Sequence, residues 1–170
     1  MNLRRAATLI AAAVCAAVTA TACATTVTGA ARPASGLRPG TDVFVGMDAC
    51  RVLDQLLAGQ GFSPGEKERS TNGCTASKYG FGSYALVLDP VQGLEVFRTR
   101  YPGTSEISIN DRRGLYFYDP RFQFCALALE VTEQSRVLVL ASAIKSGQDQ
   151  ACQNAQGVAR RLEPLLPTPP

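Results

Sequence analysis

Residues 123–152 read QFCALALEVTEQSRVLVLASAIKSGQDQAC, and the predicted sheet is built around them. The first apolar run covers residues 124–131 and is predicted to be a strand. Cys125, two leucines and a valine lie on one of its faces, and Phe124 and two alanines lie on the other, so both faces are apolar. A polar turn at residues 133–136 leads into a second apolar run. Strands that are apolar on both faces belong in the middle of a sheet that is covered on each side. We therefore expect two adjacent central strands joined by a hairpin.

The polar segment that follows is predicted to begin the last helix. Ser146 can cap its first turn, with Asp149 three residues later as a capping-box partner, and Pro164 marks its end. The helix brings Cys152 near Cys125 of the first central strand. Apolar residues at helical spacing form its predicted buried stripe: Ala151, Ala155, Val158, Ala159 and Leu162.

A second helix is predicted near the start of the folded region. Asp48 can accept hydrogen bonds from the free amides of its first turn, and Gly59 suits a left-handed residue after its last turn. Cys50 lies in the first turn. The predicted buried face consists of Ala49, Val52, Leu53, Leu56 and Leu57.

The segments between these helices complete the predicted fold. Strand-like patterns occur at residues 73–79, 83–88, 106–109 and 113–118, and residues 60–72 form a polar loop. A short helix is predicted at residues 91–100, with Val91, Leu94, Val96 and Phe97 on one face. We predict an α+β domain: a single antiparallel β-sheet of five to six strands packed with N- and C-terminal helices.

The N-terminal 22 residues have the pattern of a signal peptide. Residues 1–5 carry positive charge, residues 6–20 are apolar, and Ala20-Thr21-Ala22 is a small-x-small cleavage pattern. The apolar run is shorter than the roughly 20 residues that a membrane span needs. We predict four segments: a signal peptide (1–22), a lipidated N-terminus with a flexible tether (23–41), an envelope domain (42–166) and a loose tail (167–170).

Cys23 directly follows the predicted cleavage site. One interpretation is acylation of its thiol, which makes Cys23 the lipid-modified N-terminus of a lipoprotein. The other is ordinary cleavage after Ala22, which leaves a free thiol on a secreted protein. We favour acylation, because an unmodified cysteine at this position is a liability and several acyl chains anchor a protein stably. The expected location is the outer face of the cytoplasmic membrane.

Composition argues against several classes of function. Loss of Arg4 and Arg5 with the signal leaves 15 basic and 14 acidic residues, a net charge of +1, which does not favour a nucleic-acid or polybasic membrane interaction. The chain has no histidine and no close cysteine pair, so we predict no metal and no cofactor. Ser-His and Cys-His nucleophilic pairs are also ruled out, and we expect no enzyme activity.

The remaining cysteines indicate disulfides. An even number of cysteines in an exported chain favours disulfide bonds, and four cysteines allow three connectivities. We predict the pairs Cys50–Cys74 and Cys125–Cys152, because each joins a helix to a strand nearby in the sequence. Each bond would close a loop of about 25 to 28 residues and stabilise the fold by roughly 3 to 4 kcal/mol through chain entropy.

The order of these motifs resembles a known family. The residues that carry the resemblance are Asp48-x-Cys50-x-x-Leu53, Gly73-Cys74, Phe124-Cys125-Ala-Leu-Ala-Leu129 and Asp149-x-x-Cys152, before a last helix ending in Leu-Pro. With the cysteine at the cleavage site, this pattern resembles the actinobacterial lipoproteins of domain of unknown function 3558. That family often has Trp where Ala76 stands here, and its last motif is usually Asp-x-Cys. The resemblance implies an envelope-exposed domain similar to the PsbP/Mog1-like α/β sandwiches, and it carries no established activity.

Aromatic residues beside two predicted turns form the candidate binding surface: Tyr79, Phe81 and Tyr84 at one turn, and Tyr116, Tyr118 and Phe122 at the other. Exposed rings lying close together could stack on a sugar or form a hydrophobic site, whereas the alternative is that alternate rings fill the core. We expect a lipid-anchored cell-envelope protein that binds a ligand or partner protein without catalysis. The alternative function is a structural or accessory subunit of a membrane-associated envelope complex.

Overall fold

The computed structural model describes residues 42–144 and 148–168. Within these ranges, seven strands form one antiparallel sheet, and helices pack against both of its faces. The elements in chain order are α1 (Ala49–Leu57), β1 (Glu66–Lys67), β2 (Asn72–Lys78), β3 (Gly82–Asp89), α2 (Leu94–Arg100), β4 (Ser105–Ile109), β5 (Arg112–Asp119), β6 (Phe124–Thr132), β7 (Ser135–Ala143) and α3 (Gln148–Leu162), followed by a 3₁₀ turn (Glu163–Leu165).

The strands lie in the order β1-β2-β3-β7-β6-β5-β4, with every neighbouring pair antiparallel. β7 is the central strand, between β3 and β6. Val139 of β7 pairs with Leu86 on one side and with Leu127 on the other, and all three side chains are fully buried. The predicted α+β class and the central position of the β6–β7 hairpin are confirmed.

The predicted number of strands, five to six, was wrong. The additional strand is β1, which lies inside the stretch expected to be a polar loop. Its two residues are exposed, and they pair with Thr75 and Cys74 of β2. Because so short a polar strand has no apolar alternation, the sequence contains no signal for it.

One face of the sheet packs against α1 and α3. The Asp48 side chain caps α1 by accepting the Arg51 amide at 3.0 Å, and Gly59 adopts the left-handed conformation beyond its end, with φ of +73°. Both predicted helix faces are confirmed, because all ten residues are buried: Ala49, Val52, Leu53, Leu56 and Leu57 in α1, and Ala151, Ala155, Val158, Ala159 and Leu162 in α3.

The opposite face of the sheet is covered in part by α2. This helix contributes to a second cluster made of Leu94, Phe97, Leu115, Ala126 and Ala128. The prediction that Val91 and Val96 share the buried face was wrong, since both are exposed. The helix begins at Leu94, after Val91, and Val96 lies off the stripe that Leu94 and Phe97 define at a spacing of three residues.

Both predicted disulfides are present. Cys50 of α1 is bonded to Cys74 of β2, with 4.9 Å between their Cα atoms, and Cys125 of β6 is bonded to Cys152 of α3, with 5.0 Å. Each bond therefore fixes one helix to the same face of the sheet. Gly65 lies against the first bond, because a Cβ atom there would meet the sulfur of Cys74.

Several predicted features lie outside the described residues. These are the signal peptide (1–22), the acylation site Cys23, the tether up to residue 41, the Ser146 cap and the last two residues of the tail. Among the described helices, none has the length and apolar character needed to span a membrane.

Candidate binding site

The structure separates the six candidate aromatic residues into three groups. Phe81 and Tyr84 pack with Phe62, and the three ring centroids lie 5.2 to 5.6 Å apart. Tyr84 is only 6% exposed, and burial raises the pKa of its phenol, although the charge of Arg161 acts in the opposite direction. This group extends the core. The sequence does not distinguish this buried group from an exposed one, because all three aromatic residues lie next to turns.

Tyr116 and Tyr118 form the second group and line a notch at the β4–β5 edge of the sheet. The notch has a volume of about 290 Å³. We call it the edge notch, and its lining residues are Gly103, Ser105, Tyr116, Phe117, Tyr118 and Pro120. Tyr101, the residue that follows α2, stacks on the Phe117 ring, with centroids 5.1 Å apart and ring planes 24° apart. This ring pair packs against the second cluster, whereas Tyr116 and Tyr118 pack against the core on the side of α1 and α3.

The edge notch exists because β4 is shorter than β5. Their pairing runs from Ser105 opposite Tyr116 to Ile109 opposite Arg112, whereas β5 continues to Asp119. Within the described residues, the outer edge of 117–119 has no strand partner. An unpaired strand edge presents amide and carbonyl groups to another chain. Rings beside such an edge can hold an extended peptide or stack on a sugar.

Tyr79 and Phe122 form the third group, at turns beyond the strand ends. Tyr79 is fully exposed and Phe122 is 73% exposed. Neither residue lines the edge notch. The six residues therefore do not form one continuous surface.

A larger groove lies at the other end of the sheet, between the β1–β2 loop and the segment from β3 to α2. Its volume is about 530 Å³. Its charged lining residues are of both signs: Lys67 and Arg69 lie beside Asp42, Glu68 and Asp89. This mixture of charges does not favour an anion or a cation.

Two buried arginines in the described residues are features that the sequence analysis missed. Arg136 was assigned to a turn, but β7 begins at Ser135 and the Arg136 side chain is 2% exposed. It donates to the Gly93 carbonyl at 3.1 Å and to the Gln92 side chain at 2.8 Å. Burial lowers the pKa of Arg136, while the nearby Asp89 carboxylate acts in the opposite direction.

Arg112 at the start of β5 is the second buried arginine. It donates to the Glu163 carboxylate and to the carbonyls of Glu130 and Pro167, each at 3.0 Å. These bonds hold the C-terminal segment against the sheet. The sequence feature that could have predicted the burial of Arg112 is its spacing of four residues from Tyr116, which places both on the same face of β5.

The remaining polar features have structural causes. Ser83 and Ser142 are cross-strand neighbours on β3 and β7, with hydroxyl oxygens 2.9 Å apart. The pKa of Asp48 is lowered first by the hydrogen bond from the Arg51 amide and then by Lys67. Within the described residues there is no group of three or more His, Cys, Asp or Glu side chains that could hold a metal ion.

Comparison of the chain with protein-family models, with curated proteins and with solved structures finds no match. Among the features described above, the edge notch is the one that combines a concave surface, aromatic side chains and open backbone groups. It is therefore the candidate binding site.

Proposed function

We propose that the chain is an exported lipoprotein, anchored through acylated Cys23 to the outer face of the cytoplasmic membrane. Its folded domain binds a ligand or a partner protein of the cell envelope and catalyses no reaction. The motif order that resembles the lipoproteins of domain of unknown function 3558 supports the same assignment.

The disulfides support the proposed location. Cys50–Cys74 and Cys125–Cys152 use all four cysteines that follow Cys23. Disulfides persist in oxidising compartments and are rare in the cytosol, so two of them in a small domain are compatible with export. Cys23, directly after a small-x-small pattern, supplies the proposed anchor.

The edge notch is the observation that carries the binding proposal. Tyr116 and Tyr118 are half-buried, so their positions are held by the core while part of each ring stays accessible. The unpaired edge at 117–119 adds backbone groups that an extended ligand can bind. Preorganised rings reduce the entropy lost on binding.

Site-specific photocross-linking in intact cells tests this proposal. A photoreactive amino acid replaces Pro120 at the rim of the edge notch, and a matched one replaces Gln153, an exposed residue of α3. We expect a defined cross-linked product from position 120 alone, and we expect Tyr118→Ser to abolish it. The same product from both positions, or one insensitive to Tyr118→Ser, would contradict the proposed site. Intact disulfides show that each variant is folded.

A further inference from the structure

Three large apolar side chains remain exposed at one end of the sheet. Tyr79 is fully exposed, Phe122 is 73% exposed and Ile144 is 52% exposed. Tyr79 lies in the turn after β2, Phe122 in the turn between β5 and β6, and Ile144 just after β7. We call these three residues the apolar tip.

The strand register places the three positions of the apolar tip side by side. β3 pairs with β7 as far as Ala143, and β6 pairs with β7 from Phe124 onward. The Ile144 amide donates to the Phe81 carbonyl at 2.8 Å, which joins the end of β7 to the β2–β3 turn. Neighbouring strands lie about 4.8 Å apart, so the five strands from β2 to β5 span roughly 20 Å. The three residues of the apolar tip therefore lie in a row along the same end of the sheet.

Two cations lie at the rim of the apolar tip. Lys78 ends β2 and is exposed, with its ammonium donating to the Gln60 carbonyl at 2.8 Å, and Arg121 is exposed in the β5–β6 turn. The Asp119 carboxylate, at the end of β5, is half-buried and accepts the amides of Arg121 and Phe122 at 2.8 and 3.3 Å. Among the described residues of these turns, the exposed charges are therefore basic, even though the chain without its signal carries a net charge of only +1.

We propose that the apolar tip docks onto a phospholipid membrane surface. The Tyr79 and Phe122 rings would lie at the level of the head groups, with Lys78 and Arg121 beside the phosphates. Aromatic side chains favour this interface, and cations next to apolar residues add attraction to anionic lipids. Protruding turns suit a fluid surface, whereas a small ligand needs a concave site. Since the net charge is small, apolar insertion supplies most of the binding.

The chain between Cys23 and the folded domain is long enough for the apolar tip to face the membrane that holds the lipid anchor. Asp42, the first described residue, lies beside Asp89 and Val91, at the end of the sheet opposite the apolar tip. The 19 residues from 23 to 41 reach about 60 Å when extended. A nine-residue strand is about 30 Å long, so a chain anchored at Cys23 can turn its tip to the same membrane.

A single introduced tryptophan provides a direct test, because the chain contains none. The chain from residue 23 carries Cys23→Ser, so that acylation does not contribute to vesicle binding. Phe122→Trp reports on the apolar tip, and Val45→Trp, at a valine that is 80% exposed near the opposite end, is the matched control. The lipid surface is a vesicle of equal parts phosphatidylglycerol and phosphatidylcholine.

We expect vesicles to shift the emission of the Phe122→Trp variant to the blue and brominated lipid to quench it, while the Val45→Trp variant stays unchanged. Adding Tyr79→Ser to Phe122→Trp should weaken vesicle binding roughly tenfold, because one ring no longer inserts. Lys78→Gln with Arg121→Gln should reduce the preference for phosphatidylglycerol over pure phosphatidylcholine. No shift in either tryptophan variant, or equal shifts in both, would overturn the proposal.

Discussion

Arg136 of β7 and Asp89 of β3 form an ion pair that is almost completely removed from solvent. Arg136 Nη2 lies 3.3 Å from Asp89 Oδ2, and the two side chains are 2% and 14% exposed. The same guanidinium binds Gln92 and the Gly93 carbonyl. One side chain of the central strand thereby holds the segment that leads into α2, and so helps to place α2 over the second face of the sheet.

Asp89→Asn should destabilise the protein, because it removes the counter-ion of a buried charge. We expect the free energy of unfolding in urea to fall by about 2 to 4 kcal/mol. Glu106→Gln is the matched control, since it breaks an exposed pair with Arg98 and should cost less than about 1 kcal/mol. An equal loss of unfolding free energy in the two variants would contradict this prediction. It would mean that the neutral acceptors Gln92 and Gly93 stabilise the Arg136 charge without Asp89.

Gly65→Ala should also destabilise the protein. An added Cβ would meet the sulfur of Cys74 and lie 3.1 Å from Asp54 Oδ1, so we expect a loss of about 1 to 3 kcal/mol and a lower urea midpoint. Gly157→Ala is the control, because its added Cβ meets nothing within 4 Å. Helix propensity should make Gly157→Ala stabilising by about 0.5 to 1 kcal/mol. An unchanged midpoint for Gly65→Ala would contradict the close packing at this disulfide.

Loss of the Cys125–Cys152 disulfide should reduce stability more than loss of Cys50–Cys74. Both bonds close loops of similar length, with sequence separations of 27 and 24, so chain entropy contributes about 3.5 kcal/mol in each case. Cys125 and Cys152 are both buried, whereas Cys50 is partly exposed. Replacing both cysteines with alanine should therefore remove more buried packing at Cys125–Cys152 than at Cys50–Cys74. Urea unfolding of the two double-alanine variants measures the difference, and the reverse order would refute this explanation.

The fold should lose stability at alkaline pH through Tyr84. Burial raises the pKa of Tyr84 in the folded state above its ordinary value. The unfolded chain therefore ionises first, so the contribution of Tyr84 is complete below about pH 10 and is lost as the pH rises toward the folded pKa. Tyr84→Phe should flatten the fall in unfolding free energy above about pH 9.5. Tyr79→Phe, at a fully exposed tyrosine, should leave that fall as it is in the unsubstituted protein.

Local patterns were sufficient to predict α1, the buried face of α3 and the centre of the sheet. β6 and β7 are apolar on both faces, which is a property of central strands, and Asp48 and Gly59 mark the two ends of α1 through their own hydrogen-bonding and backbone preferences. The pairing of the four cysteines could be predicted from these elements, because each disulfide joins a helix to a strand close to it in the sequence.

Features set by distant contacts could not be predicted. The burial of Arg136 depends on Gln92 and Gly93, which lie more than 40 residues earlier in the chain. Tyr84 and Tyr118 lie in one row across the sheet through Ala141 and Cys125, yet Tyr84 is buried and Tyr118 remains partly exposed near the sheet edge. Alternation along a strand gives the face of a side chain, but it does not show which part of that face other elements cover.

Mass spectrometry of the protein from native membranes, digested without reduction, shows directly whether the domain is exported and lipid-anchored. We expect an N-terminal peptide that begins at acylated Cys23, together with peptides linked through Cys50–Cys74 and Cys125–Cys152. A chain that retains residues 1–22 or begins with an unmodified Cys23 would contradict the lipid anchor. Free thiols at Cys125 and Cys152 would contradict export to an oxidising compartment.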